Sequence, residues 1–323
     1  MIKQGQIFPY ALKECTKRFI LEVTQMNGIL PLWKPKGLTS HDCVMKIRRL
    51  FHTKKVGHTG TLDPQVEGVL PICIGQATKI VPYLMETKKT YIAEVMLGTS
   101  TETEDREGRV IEQKEITSPP SNQSIENTLK SFVGDIIQIP PMYSAVKVKG
   151  KRLYEYARAN ETVERPSRQI TIHEIKRIPS SKETNHSFRI QVICSKGTYI
   201  RTLCVDIGKH LGYPAHMSDL VRIQTGSFTK DEAVTFKTIE RASLMDKQNQ
   251  LLLPIVKGLL HLNCLNVDET MKKAIQFGQK LPRPEQIVDT DPFIVLFHNQ
   301  LLAIYQVHPE KPNLIKPVRV FNG

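Results

Sequence analysis

A loop at residues 56–64 is the part of this chain that most constrains its local fold. It reads Val-Gly-His-Thr-Gly-Thr-Leu-Asp-Pro. Gly57 and Gly60 allow a positive φ or a close approach of the backbone to another group. Pro64 fixes its own φ and biases Asp63 toward an extended conformation. Taken alone, the Asp-Pro pair predicts an ordinary turn.

The charge around this loop suggests a second interpretation. The 323-residue chain carries a formal net charge of +13, and most of the excess lies in residues 28–261. A basic run directly precedes the loop, formed by Lys46, Arg48, Arg49, Lys54 and Lys55. A basic domain favours a nucleic-acid partner, although solubility is the plain alternative. A carboxylate held rigidly among such cations is then available for chemistry.

Several classes of protein are disfavoured. No apolar run approaches the ~18 residues that span a bilayer, and the first residues lack a signal-peptide pattern. The six cysteines are widely spaced without a C-x-x-C pair, so a reducing cytoplasm is expected. The acidic and histidine residues near the loop lack metal-ligand spacing, and no phosphate-binding glycine motif is present, so we predict neither metal nor cofactor.

The apolar patterns predict a mixed α+β fold. Ser40 is predicted to cap a helix over about 41–51, and alternation over 91–97 predicts a strand. Further strands are predicted at 68–74, 168–178 and 187–194, a helix at 125–133, a hairpin at 144–152 followed by a helix at 153–159, and a helix after Thr198.

The chain is predicted to have three parts. Residues 1–27 form an extension of uncertain status, with the functional chain starting near Met26. Residues 28–250 form the main domain. Residues 251–323 form a linker and a small β-rich domain, in which His298-Asn299-Gln300 turns a hairpin.

Three segments together resemble the motifs of pseudouridine synthases. They are residues 57–64 (GHTGTLDP), 89–91 (KTY) and 194–203 (CSKGTYIRTL). Three more narrow the resemblance to the bacterial TruB-type tRNA pseudouridine synthases, namely 34–40 (KPKGLTS), 140–145 (PPMYSA) and 151–158 (KRLYEYAR). This resemblance runs from about Gly28 to Phe228. The tail, about 262–323, is more loosely similar to the PUA RNA-binding domain, while residues 1–25 have no counterpart.

The resemblance implies a pseudouridine synthase fold, with a central mixed, largely antiparallel sheet flanked by helices and a PUA-like domain. It implies isomerisation of uridine to pseudouridine in the T-loop of tRNA, at standard position 55, without a cofactor. The partner would be tRNA, through its T-loop and stem, with no membrane and no obligatory protein partner, and the enzyme would be a monomer. The alternative is a non-catalytic RNA-binding protein or tRNA chaperone.

The resemblance also assigns residues. Asp63 would be the catalytic carboxylate, attacking either the base or the sugar C1′, and Arg201 would pair with it. Tyr91 would stack on the uracil and take part in removing the C5 proton. His58, Tyr199 and Leu220 would complete the pocket for a flipped base. RNA phosphates would contact Lys34, Lys147, Lys149, Lys151 and Arg152. Without the resemblance, the tyrosines, His58 and Leu220 would be interpreted as packing residues, and the lysines and arginines as surface cations.

Overall fold

The structure is a computed structural model that describes residues 26–179, 184, 186–284 and 290–321. The predicted extension at residues 1–27 therefore lies almost entirely outside the described residues. The α-helices are α1 (Ser40–Leu50), α2 (Val81–Met85), α3 (Asn122–Ser131), α4 (Leu153–Arg158), α5 (Ile200–His210), α6 (Phe236–Ser243) and α7 (Glu269–Gln276). Short 3₁₀ helices cover Gly75–Ile80, Lys230–Glu232, Gln248–Leu251 and Ile255–Leu259.

The strands separate into a large domain and a small C-terminal domain. Those of the large domain are β1 (Gly28–Lys34), β2 (Val56–His58), β3 (Glu67–Ile74), β4 (Lys89–Leu97), β5 (Thr99–Thr101), β6 (Val110–Gln113), β7 (Gly134–Gln138), β8 (Lys147–Val148), β9 (Lys151–Arg152), β10 (Arg168–Ile178), β11 (Ser187–Cys194), β12 (Ala215–Thr225) and β13 (Phe228–Thr229). Those of the small domain are β14 (Cys264–Asn266), β15 (Leu281–Pro282), β16 (Phe293–Phe297), β17 (Gln300–Val307) and β18 (Leu314–Val320).

A nine-stranded sheet forms the centre of the large domain. Its main order is β1-β3-β12-β4-β11-β10-β7, with β2 added on β3 and β13 on β12. Strands β3 and β12 pair in parallel, while the other pairs are antiparallel. The predicted α+β fold with a mixed, largely antiparallel sheet is confirmed.

The pairing of β3 with β12 depends on Gly68. This residue has φ +135°, and a Cβ there would lie 2.3 Å from the Arg222 carbonyl oxygen. Real side chains do not tolerate such a distance, so glycine allows the two strands to approach. The catalytic loop candidate, which leads directly into β3, is thereby brought beside β12.

Helix α1 begins one residue earlier than predicted. Thr39, not Ser40, is the N-cap, because its hydroxyl accepts the Asp42 N–H while the Asp42 carboxylate accepts the Thr39 N–H. This reciprocal arrangement is a capping box with Asp in the third position. Ser40 is thereby free to bond the loop near Asp63, as described below.

The segment after residue 250 packs with the large domain. Leu253 exchanges two backbone hydrogen bonds with Ile29 of β1, at 2.8 and 2.9 Å. Leu252, Val256 and Leu259 are buried in the cores on the two faces of β1 and β3. The segment predicted to be a linker is therefore packed into the large domain. The small sheet starts at Cys264 and has the order β14-β16-β17-β18-β15.

The small domain is β-rich, as predicted, and its hairpin turns at His298 and Asn299, both with positive φ. Ile294, Leu296 and Ile304 of this domain share a hydrophobic cluster with Ile29 and other residues of the large domain. None of the helices in the described part of the chain combines the length and apolar character needed to cross a membrane.

Candidate active site

Two buried polar side chains form hydrogen bonds with the backbone of the Asp63 loop. The Ser40 hydroxyl accepts the Leu62 N–H at 2.9 Å. The Lys34 ammonium donates to the carbonyls of Pro64 at 3.1 Å and Val66 at 2.7 Å. Asp63 therefore lies between two anchored neighbours, while its own carboxylate remains 44% exposed.

Lys34 requires a correction. The sequence placed it among the contacts to RNA phosphates, but the residue is 0% exposed. A third hydrogen bond, to the Pro35 carbonyl at 2.9 Å, uses the last of the three N–H donors of the Lys34 ammonium. Burial lowers the pKa of the Lys34 ammonium, against the opposing effect of Asp63 and other acidic groups. Lys34 is thus a clip for the loop and does not reach the surface.

Arg201, in the first turn of α5, forms an ion pair with Asp63. The Nη2 to Oδ2 distance is 3.2 Å, and the arginine is 6% exposed. Its guanidinium also donates to the Thr103 carbonyl at 3.0 Å and the Tyr143 carbonyl at 2.9 Å. These bonds fix the plane of the guanidinium, so the position of the charge beside Asp63 is preorganised.

Sequence reasoning missed a second carboxylate at this arginine. Asp105 Oδ2 lies 3.7 Å from Arg201 Nη1. Its other oxygen accepts the Thr103 hydroxyl and the Glu107 N–H, at 2.6 and 3.1 Å. Nothing in the local sequence around Asp105 links it to residue 201. Arg201 therefore lies between two carboxylates from separate loops.

A cavity of about 110 Å³ opens beside Asp63. The predicted residues Tyr91, Tyr199, Arg201 and Leu220 line it together with Thr61, Leu62, Val66, Thr198 and Ile200. Most of these side chains are apolar or aromatic, with the Asp63–Arg201 pair at one side. A flat, partly polar ring fits such a lining.

Burial raises the pKa of the Tyr91 phenol, and the nearby Arg222 guanidinium acts in the opposite direction. The phenol is therefore protonated at neutral pH in this structure. Tyr91 lies on β4, directly opposite Arg222 on β12. Sequence reasoning had no signal for Arg222 beyond its place two residues after Leu220.

His58 lies outside the lining of the cavity. It sits at the end of β2, and its Nδ1 accepts the Gly60 N–H at 3.4 Å. Burial lowers the pKa of the His58 imidazole, which favours the neutral form. In this structure His58 supports the turn at Gly60, where φ is +128°, and its predicted contact with a flipped nucleotide stays a prediction.

Gln138 is a further residue that the sequence did not indicate. Its buried side-chain amide accepts the Tyr199 N–H at 3.0 Å and donates to the Tyr199 carbonyl at 3.1 Å. It thus fixes the backbone at the N-cap of α5. The orientation of Tyr199 and Arg201 at the cavity follows from this clamp between β7 and α5.

The predicted basic hairpin is present as β8 and β9, with its tip at Lys149 and Gly150. Lys147, Lys149 and Arg152 are exposed. Lys151 differs, because it pairs with Glu161 at 2.7 Å. Within the residues that the structure describes, no ion pair engages Lys147 or Lys149, so these two retain charge for a polyanion.

Metal-binding clusters of three or more His, Cys, Asp or Glu side chains are absent from the described ranges. Comparison with known proteins gives matches to two family models. Residues 48–200 match the model of the TruB family pseudouridylate synthase N-terminal domain. Residues 201–259 match the tRNA pseudouridylate synthase B C-terminal domain.

The chain belongs to the TruB family of pseudouridine synthases. A tRNA pseudouridine synthase B from Oceanobacillus iheyensis is 62% identical over 297 residues, covering 92% of this chain and 98% of that protein. The protein of the same name from Staphylococcus aureus is 50% identical over 303 residues, covering 92% and 99%. The TruB resemblance and the prediction of an enzyme, an isomerase, are confirmed.

Solved structures confirm the pseudouridine synthase fold of this TruB-family chain. A chain in the crystal structure of a Cbf5-Nop10-Gar1 complex has a TM-score of 0.72 at 26% identity, with 95% of this chain and 88% of that chain covered. A chain in an H/ACA RNP bound to a substrate RNA containing 2′-deoxyuridine has a TM-score of 0.71 at 24% identity, covering 96% and 89%. The second likeness concerns the fold alone.

Proposed function

We propose that this chain isomerises uridine to pseudouridine in the T-loop of tRNA, at standard position 55, with Asp63 as the catalytic carboxylate. The observation that carries the proposal is the Asp63–Arg201 pair at 3.2 Å beside the Tyr91 cavity. The substrate class is supported by relatives named tRNA pseudouridine synthase B that align with more than nine-tenths of the chain.

The chemistry suits one carboxylate and no cofactor. The N1–C1′ bond of the nucleoside breaks, the base turns, and a C5–C1′ bond forms. The C5 proton then leaves and N1 gains a proton, so the product is an isomer of the substrate. A carboxylate can attack the base or the sugar C1′, and the Arg201 guanidinium pairs with Asp63 and aligns it.

The arrangement of the cavity favours a base that enters from outside. Asp63 is the exposed partner of the pair, whereas Arg201 is held behind it by two backbone carbonyls. A uridine within a folded loop must leave its stack to reach such a site. Tyr91, Tyr199 and Leu220 then supply the surfaces on which the base rests.

The partner is proposed to be tRNA alone, in the cytoplasm, with the enzyme acting as a monomer. The exposed cations of the β8–β9 hairpin would contact phosphates of the T-arm. The competing function is a tRNA-binding protein or chaperone that uses the same surface without chemistry. An acidic residue paired to a buried arginine inside a cavity has no use in simple phosphate binding, and this favours catalysis.

The test uses an unmodified tRNA transcript with tritium at uridine C5. Wild-type protein should release tritium in amounts that match one uridine per tRNA, and Asp63→Asn should release none while binding the tRNA. Asp246→Asn, the same change at an exposed turn residue after α6, is the matched control and should behave as wild type. Binding without release by the wild type would favour the chaperone. Release from a transcript lacking the T-loop uridine would overturn the assigned position.

A further inference from the structure

The loop at residues 101–108 is joined to α5 by a hydrogen bond that does not involve Arg201. The Thr202 hydroxyl donates to Glu104 Oε2 at 2.6 Å. Thr202 is 8% exposed and directly follows Arg201 in the first turn of α5. Glu104 lies in the chain between Thr103 and Asp105. These two neighbours contact the Arg201 guanidinium at 3.0 and 3.7 Å, so three consecutive loop residues meet two consecutive helix residues.

The backbone of Glu104 has a conformation that side chains of its type rarely adopt. Its φ is +63°, in the left-handed region that residues other than glycine enter at a cost in free energy. The Glu104 N–H donates to the Thr101 carbonyl, and the Glu104 carbonyl accepts the Met217 N–H of β12, both at 3.1 Å. Such conformations persist where several contacts fix them, often at functional sites. Glu104 is thus held by β12 through its backbone and by α5 through its side chain.

The Glu104 side chain lies outside the cavity beside Asp63. It lines a second cavity, of about 660 Å³, which β5, β6 and α5 border. Asp63 and Tyr91 do not line this second cavity, and Glu104 does not line the first. Glu104 therefore does not reach a base bound beside Asp63, and any effect of Glu104 on the reaction must act through another residue.

We propose that Glu104 is a positioning residue that acts through Arg201, by holding the 101–108 loop against α5 so that the guanidinium stays aligned with Asp63. The proposal rests on the function proposed above. Without the bond from Thr202, the loop would be joined to α5, among the described residues, through the contacts of Arg201 itself.

The alignment of Arg201 then depends on how firmly its acceptors are fixed. Its Nη1 donates to the Thr103 carbonyl, while its Nη2 pairs with Asp63 at 3.2 Å. A loop that shifts would carry the Thr103 carbonyl with it and turn the plane of the guanidinium. Because a small displacement of a preorganised charge lowers a reaction rate strongly, the loss should appear in the chemical step.

The proposed role requires an acceptor at residue 104 and a hydroxyl donor at residue 202. Glutamine keeps an acceptor oxygen at residue 104, and serine keeps the hydroxyl at residue 202. Alanine and valine, respectively, remove these groups. None of the replacements at residue 104 is glycine, the residue that would relieve the positive φ, so the comparison isolates the hydrogen bond.

The first test measures single-turnover tritium release at saturating tRNA. Glu104→Ala and Thr202→Val should each lower the rate by on the order of 10-fold, whereas Glu104→Gln and Thr202→Ser should stay close to the wild-type rate. The double variant Glu104→Ala/Thr202→Val should lose no more than either single variant, because both changes break the same bond. tRNA affinity should not change. Glu112→Ala, at an exposed carboxylate of β6 on the same cavity, is the matched control.

The second test repeats Glu104→Ala in an Arg201→Lys background. A residue that acts through the guanidinium should have little further effect once the guanidinium is gone. A loss of rate that is equal in both backgrounds would overturn the proposal. So would a Glu104→Gln protein as slow as Glu104→Ala, or a loss of tRNA affinity with an unchanged rate.

Urea unfolding of each variant separates a loss of rate from a loss of folded protein. If Glu104→Ala does not fold, Thr202→Val carries both tests, because valine keeps the branched shape of the threonine side chain. Absence of tritium release by the wild type would instead overturn the proposed function.

Discussion

Replacing Lys34 by methionine should destabilise the protein more than its position in a surface-like Lys-Pro-Lys-Gly sequence suggests. The ammonium donates to three carbonyls, those of Pro35, Pro64 and Val66. Methionine has a similar length but no donor. The Pro64 carbonyl keeps a partner, the Gly37 N–H at 2.9 Å, whereas no other hydrogen bond to Val66 O is present in the described residues.

The magnitude follows from these bonds. A hydrogen bond to a charged group contributes about 1.5–3 kcal/mol, and an orphaned buried carbonyl costs about 1–3 kcal/mol. Against this, methionine avoids the desolvation that lowers the pKa of the Lys34 ammonium. A net loss of about 2–4 kcal/mol is therefore expected, which for a domain of this size lowers Tm by about 4–16 °C.

The assay is urea unfolding followed by far-UV circular dichroism, with thermal unfolding alongside. Lys36→Met is the matched control, because Lys36 makes an exposed ion pair with Asp219 at 2.7 Å, and such pairs contribute about 0–1 kcal/mol. Single-turnover tritium release should also fall for Lys34→Met, since the Asp63 loop loses its clip. A Lys34→Met protein as stable as Lys36→Met would refute the reasoning.

Three further predictions concern charge. Arg201→Lys should lower the single-turnover rate by on the order of 100-fold, because a compact ammonium cannot replace the planar fork whose two terminal nitrogens reach Asp63 and two carbonyls; unchanged turnover would remove Arg201 from the catalytic set. Burial lowers the pKa of Lys89 from 10.5 to about 8. Between these two pH values the unfolded chain binds more protons than the folded protein, so the free energy of unfolding rises with pH, by roughly 3 kcal/mol at most. Urea unfolding of Lys89→Met should lack this rise; an identical pH dependence would contradict the assignment. Lys149→Ala should reduce the slope of log affinity against log salt by about 0.9 in tRNA binding, whereas exposed Lys237→Ala should not; equal slopes for both variants would place Lys149 off the RNA.

Much of the fold could be predicted from local patterns. The alternation of Ala93, Val95 and Leu97 gave strand β4, whose inward residues are buried as expected. The Lys149-Gly150 tip and the His298-Asn299 turn were readable because positive φ favours particular residues. Predictions failed where two neighbouring residues could take the same structural role. At the start of α1, Thr39 and Ser40 can both cap, and Asp42 decided between them.

Buried polar residues were the main source of error at the site. Lys34 looks like a surface cation because its three acceptors come from its own turn and from the distant segment 64–66. Asp105 belongs to an acidic turn whose contact with Arg201 spans almost a hundred residues. The segment after residue 250 gave no sign that Leu253 would pair with Ile29. Spacing along a chain carries no information about such partners.

The sequence by itself determined the strands and helices, the glycine-flanked Asp63 turn and the family, because each depends on local propensity or on short motifs. The tertiary structure decided what these pieces do together. It placed Arg201 against two carboxylates from separate loops, and it turned Lys34 inward as a clip. It also set Arg222 opposite Tyr91 through the register of β12 and β4, although the two residues are distant along the chain. The reason is physical: the charge and hydrogen-bond partners of a buried group come from whichever strands lie beside it, and strand order is a property of the whole fold.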